Sequence, residues 1–327
     1  MRQRALAGQI LLVLCLIGAA GCGGGGGGTD GSDPPIAAKR RGDAITRNAA
    51  NARTEIVVGS KSFTEQRVLG QIFAQALGAA GYRVSARLDL ENERRALKRL
   101  RSGSIDGYPE YTGTALVSFC RADAQTIPKD PSLAFRDARA CLRRMGLTAF
   151  PPTPFTTSLE VAVPAATADR LGLRTISDLV PHGQEFVFYG TPECRLRTDC
   201  LLGLRNVYGA RFRRFAGVDP VERHDVLLRR PDAVSIVYAT DPQIKREPIV
   251  LLDDDRGMFP PYNSTFVVRD DVVKQAGPDL PRVIGKVQPG LTDEVMQELN
   301  ARVDIDKETP SAVALSYLRQ SGLLPPM

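Results

Sequence analysis

The chain has 327 residues, with 43 Lys and Arg against 37 Asp and Glu, a formal net charge of +6, 43% hydrophobic residues and no Trp. That length is enough for two lobes with sizeable cores. The basic pairs, such as Arg94-Arg95 and Arg213-Arg214, sit beside acidic residues or on helical faces, which suits a solvated surface and argues against a nucleic-acid footprint.

Met1-Arg-Gln-Arg4 is followed by an apolar run from Ala5 to Ala20 and by small residues leading to Cys22, the order of a secretory signal over residues 1–21. The run is shorter than a membrane-spanning helix needs, and no later segment is apolar for as long. Ala19-Ala-Gly-Cys22 resembles a bacterial lipobox, which would make Cys22 the lipidated first residue of the mature protein; an ordinary secretory signal is the alternative. Gly23 to Gly28 and the polar, charged stretch after them cannot bury a core, so residues 22–54 read as a flexible tether.

From Glu55 onward, β-rich runs alternate with amphipathic stretches. Glu55 to Gly59 predicts a strand, Ser62 to Glu65 a capping box, and Val68, Leu69, Ile72, Phe73, Ala76 and Leu77 the buried face of a helix that Gly81 ends. Further strands are expected at Arg83–Leu88, Ile105–Tyr108, Leu159–Val163, Glu185–Tyr189, Ser235–Tyr238 and Thr265–Arg269. Helices are expected at Asn92–Arg101, Ser132–Met145, Ala165–Leu171, Ser177–Val180 and Asp199–Tyr208, with two more after Thr292. This alternation argues for an α/β fold with parallel-rich sheets. Pro151-Pro-Thr-Pro154 and Pro260-Pro261 break the pattern twice. Read as crossovers, they give one lobe from residues 55–155 and 262–327, a second from 156–261, and a cleft between them.

Apart from Cys15 in the signal and Cys22, four cysteines remain, and in an exported chain they are expected to pair. Three connectivities are possible; sequence proximity favours Cys120 with Cys141 and Cys194 with Cys200. With only His182 and His224, and no Cys-x-x-Cys spacing, no metal or cofactor is expected. Asp253-Asp-Asp255 lacks the ligand spacing of a calcium loop. No Gly-x-Ser-x-Gly elbow, phosphate loop or His-Glu-x-x-His is present, so the chain is not expected to be an enzyme.

Gly59-Ser-Lys-Ser-Phe-Thr-Glu-Gln66 and Asp106-Gly-Tyr-Pro-Glu-Tyr-Thr-Gly-Thr-Ala-Leu116 resemble two signatures of the glycine betaine, choline and carnitine binding proteins of ABC transporters. Matches around Pro192–Gly209, Tyr238–Ile244 and Leu252–Asn263 follow in family order. The resemblance implies a two-lobed periplasmic-binding-protein fold of type II, a membrane permease and ATPase as partners, a monomer, and Thr64, Gln66, Tyr111, Thr112 and Thr114 at loop-to-helix junctions facing the cleft. Two segments depart from the family pattern, Asp89–Arg95 and Tyr189-Gly-Thr191, and they leave the ligand open.

A quaternary ammonium donates no hydrogen bond, so a protein holds it through apolar contact and the negative faces of aromatic rings. Tyr111, Tyr189, Tyr238 and Tyr262 are the expected cage walls, while Tyr82, Tyr208 and Tyr317 are expected to pack in the core. A carboxylate on the ligand would suit Ser60, Thr112, Thr114 or Arg195. The competing expectation is a protein of this fold that takes another small ligand, such as an amino acid or a phenolic compound.

Overall fold

A computed structural model describes residues 44–326; the expected signal, Cys22 and most of the tether lie outside the described residues. Residues 44–54, assigned above to the tether, carry structure. Asn48 caps a short 3-10 helix, Ala49–Arg53, and Asn51 Nδ2 donates to the Ala80 carbonyl at 2.9 Å and to Asp279 at 3.0 Å. Glycine has given way to asparagine here, and asparagine can satisfy local backbone and distant carboxylate together.

The strands are β1 (Glu55–Gly59), β2 (Arg83–Arg87), β3 (Gly107–Tyr111), β4 (Leu147–Ala149), β5 (Leu159–Pro164), β6 (Val187–Gly190), β7 (Arg214–Gly217), β8 (Ala233–Tyr238), β9 (Ile249–Leu252) and β10 (Ser264–Arg269). They form two five-stranded sheets among the described residues, ordered β2-β1-β3-β10-β4 and β7-β6-β8-β5-β9. In each sheet four strands run the same way and one, β10 in the first and β5 in the second, runs against them. The sheets are therefore mixed, parallel-rich in strand direction with one reversed strand each. The reason is connectivity: β5 and β10 each arrive from the other sheet through an extended crossover, and they run opposite to the strands joined by helices.

The crossovers lie side by side. Thr156 bridges Asn263 in antiparallel fashion, Thr157 N donates to the Tyr262 carbonyl at 3.2 Å, and Asn263 Nδ2 faces three successive carbonyls, Thr153, Pro154 and Phe155. Pro151 and Pro154 offer no N–H, so the asparagine amide takes up carbonyls that a regular ladder would have used.

Helix α1 (Thr64–Ala79) buries the whole apolar stripe expected of it, from Val68 to Leu77. At about 1.5–3 kcal/mol for each fully buried large side chain, this stripe anchors the first sheet to the carboxyl-terminal helices. The capping box does not form. Phe63 is the N-cap and makes no side-chain cap bond, Ser62 Oγ donates to the Glu91 carbonyl at 2.8 Å, and Glu65 turns inward. Helix α2 (Glu93–Arg101) is capped by Asn92.

Strand β3 runs on through Pro109 to Tyr111, past its expected end at Tyr108, and is buried throughout. A proline is tolerated because β3 meets β1 at one register position only, Val58 with Gly107. Beyond that point no parallel neighbour requires a donor, and the strand leads into the site.

Candidate functional site

A cavity of about 630 Å³ opens where the carboxyl ends of β1, β3, β6, β7 and β8 converge with the crossovers. Strand ends of parallel sheets leave loop backbone and side chains free to meet a ligand, so this is where an α/β fold of this kind builds sites.

Aromatic rings form one wall. Phe63 lies 6.3 Å from Tyr111 and 5.4 Å from Tyr238, centroid to centroid, and Tyr262 lines the cavity on the side of the crossovers. Gly113 makes the last contact possible, since a Cβ there would stand 2.7 Å from Tyr262 Cε1. Two rings already attract protein cations: Lys61 Nζ is 4.5 Å from the Tyr111 centroid and the Arg223 guanidinium carbon 4.3 Å from that of Tyr238. Such distances are those of a favourable cation–π contact.

The charges are organised in pairs. Lys61 Nζ donates to Glu110 at 2.6 Å, with both side chains buried. Arg197 grips Asp199 through Nε at 2.7 Å and Nη2 at 2.5 Å, and reaches Glu93 Oε1 at 3.3 Å across the cleft. Burial alone would raise the Glu93 carboxyl, but Arg197 and Lys61 outweigh it and hold the group below the usual carboxylate range. Arg223 holds Asp241, which also accepts from His224. On the cleft edge Asn92 Nδ2 donates to Glu193 at 2.7 Å.

Behind the wall sits Glu65, which accepts from Tyr111 Oη and Thr157 Oγ1 at 2.6 Å each, from Thr240 Oγ1 at 2.5 Å and from Asn300 Nδ2 at 3.3 Å. Burial raises its carboxyl above the ordinary value, although the four donors oppose the shift. One side chain thus ties β3, the first crossover, the loop after β8 and a carboxyl-terminal helix together.

Of the residues expected to face a ligand, Tyr111, Thr114, Tyr238 and Tyr262 line the cavity, whereas Ser60, Thr64, Gln66, Thr112 and Tyr189 do not. Thr64 Oγ1 donates to Asp304 and Thr112 Oγ1 to the Pro261 carbonyl. Ser60 turns to the Lys61 carbonyl. Tyr189 buries in a cluster with Val187 and Leu227. Gln66 lies behind the wall, and its Nε2 has no hydrogen-bond partner among the described residues. Arg195 stacks at 5.0 Å from the Phe215 ring, outside the cavity. Tyr82, Tyr208 and Tyr317 are buried in the core.

Both disulfides, Cys120–Cys141 and Cys194–Cys200, are present, and the second encloses the loop that presents Arg197. Among the described residues no group of three or more His, Cys, Asp or Glu could hold a metal ion, and no helix is long and apolar enough to cross a membrane.

Residues 54–320 match the family described as the substrate binding domain of ABC-type glycine betaine transport system. The chain belongs to this family. A glycine-betaine-binding protein of Pseudomonas aeruginosa is 33% identical over 82% of this chain and 88% of its own length. The ergothioneine transport permease/ergothioneine binding protein EgtU of Helicobacter pylori is 30% identical over 85% of this chain, which spans half of that relative. A solved glycine betaine/carnitine/choline ABC transporter structure superposes with a TM-score of 0.65 over 82% of this chain and 99% of its own, at 22% identity, a likeness of fold.

Within this substrate-binding family member, the sequence reading missed Phe63, Lys61, Glu93, Arg197 and Arg223. Phe63 did leave a signal. A phenylalanine at a helix N-cap wastes a position that favours Ser, Thr, Asp or Asn, which marks it as held for another reason. The charged residues left none, because their partners lie as far as 104 positions away.

Proposed function

We infer that this protein is the extracytoplasmic substrate-binding component of an ABC importer and captures a small quaternary-ammonium compound such as choline, glycine betaine or carnitine. The observation that carries this reading is the cluster of Phe63, Tyr111 and Tyr238 on the wall of a cleft at the carboxyl ends of the strands. Tyr262 and Thr114 complete the binding surface. The two sheets act as lobes, residues 55–155 with 262–327 and residues 156–261, that close about the paired crossovers. Lipid on Cys22 tethers the monomer beside its permease and ATPase, and the chain carries out no catalysis.

Calorimetry with choline and with 3,3-dimethyl-1-butanol, in which carbon replaces the ammonium nitrogen, tests the cationic headgroup. Choline should bind and the neutral isostere should be weaker by about tenfold or more, and Phe63→Ala should weaken choline by about tenfold. Equal binding of the two would sink the reading. A larger quaternary-ammonium compound in the same cleft is the second reading, favoured by the ergothioneine name of the Helicobacter relative, since ergothioneine also carries a trimethylammonium group. Titration with ergothioneine beside choline separates a large ligand from a small one.

A further inference from the structure

The charges around the cavity narrow the ligand class, on the reading that the cleft takes a quaternary ammonium. Among the described residues the lining holds three cations, Lys61, Arg197 and Arg223. All three are engaged by carboxylates of the protein. Lys61 is bound to Glu110, which is fully buried. Arg197 has Nε and Nη2 on Asp199 and turns Nη1 to Glu93 and Ser118. Arg223 has Nε and Nη2 on Asp241 and Nη1 on the Pro220 carbonyl.

The same lining holds five carboxylates: Glu93, Glu193, Glu91, Asp219 and Glu222. Glu93 is buried beside the aromatic wall, and Glu193 reaches across the cleft edge to Asn92. Glu91, Asp219 and Glu222 are exposed at the rim. Carboxylates therefore outnumber cations, and each cation already has a carboxylate of the protein as its partner. A carboxylate entering this space gains no unengaged guanidinium or ammonium and meets like charge, whereas an O–H or N–H finds ionised acceptors, which make the stronger kind of hydrogen bond.

We propose that the site selects quaternary-ammonium compounds whose far end donates a hydrogen bond, a hydroxyl above all, over those whose far end is a carboxylate. The headgroup rests against Phe63, Tyr111 and Tyr238, and the far end points to Glu93 and Glu193. The cavity of about 630 Å³ falls in the range that takes ligands larger than either simple case, so a longer chain bearing such donors also fits.

Choline and glycine betaine differ only at that far end, and calorimetry of the full mature protein at pH 7 and low salt compares them directly. Choline should bind at least about tenfold more tightly, a difference of ~1.4 kcal/mol. Glu93→Gln keeps the shape and removes the charge, and should bring the ratio down by about fivefold; Glu193→Gln, on the other lobe and half-exposed, should move it the same way should Glu93→Gln fold poorly. Glycine betaine binding as tightly as choline overturns the proposal and leaves the quaternary-ammonium reading standing. A wild-type ratio that neither variant moves removes the charge argument and overturns it too. If neither compound binds at millimolar concentration, both readings fall.

Discussion

Glu160 on β5 faces a second, smaller cavity of about 420 Å³ beside the crossovers, shared with Lys129 and Asp254. Burial, reinforced by Asp254 and Asp253, pushes its carboxyl up to about 7 from an ordinary 4.5. A carboxyl raised in the folded state binds its proton more tightly there than in the unfolded chain, so its contribution to stability is full below pH ~4.5 and is lost as pH rises through ~7. Glu160→Gln should therefore be more stable than the parent by about 1–3 kcal/mol at pH 8 and nearly equal to it at pH 4.5. Urea melts at the two pH values decide the matter; equal stability at pH 8 would show that Glu160 titrates normally. Glu65 is raised by burial as well, yet it differs in having four side-chain donors. The contrast lies in partners brought together by folding, and neither residue stands out in the sequence.

Among the elements, the two disulfides close loops of different length on different sheets' flanks. Cys120–Cys141 spans 21 positions and joins the end of the π-helical stretch Ala115–Phe119 to the helix Pro131–Arg143; Cys194–Cys200 spans 6 and frames Arg197. In the chain-entropy account, Cys120→Ser with Cys141→Ser should lower stability by about 3 kcal/mol, and Cys194→Ser with Cys200→Ser by about 2 kcal/mol. Denaturant titration of the two double variants checks the order. Long amphipathic helices such as α1 were legible because their 3.6-residue stripe is written in consecutive residues. The short strands β4, β7 and β9 were not, being three or four residues long, with β7 and β9 largely half-buried or exposed. Too few residues carry the alternation for a period to show.

At the scale of the whole molecule, the crossovers border the cleft through Thr157, Leu159 and Tyr262. Ligand that binds the folded chain alone stabilises it by mass action, about 2.7 kcal/mol at one hundred times Kd. At this chain length choline at that concentration should raise Tm by roughly 5 °C. A thermal melt with and without choline reads the shift, and an unchanged Tm at a concentration that saturates calorimetry would mean that binding is not coupled to the native cleft.

Sequence by itself determined what depends on neighbours along the chain: the α/β alternation, the apolar face of α1, the proline-marked crossovers, the short-range cysteine pairs and the signature segments that point to the family. Of the residues it named for the cleft, Tyr111, Thr114, Tyr238 and Tyr262 line the cavity. Tertiary structure alone decided the rest. Thr64 meets Asp304, 240 positions away, and Glu65 meets Thr240 and Asn300, 175 and 235 away. Hydrogen bonds and ion pairs of that reach follow from how the two sheets pass the chain between them. No local period or spacing encodes which polar side chain finds a partner in the protein and which is left to face a ligand.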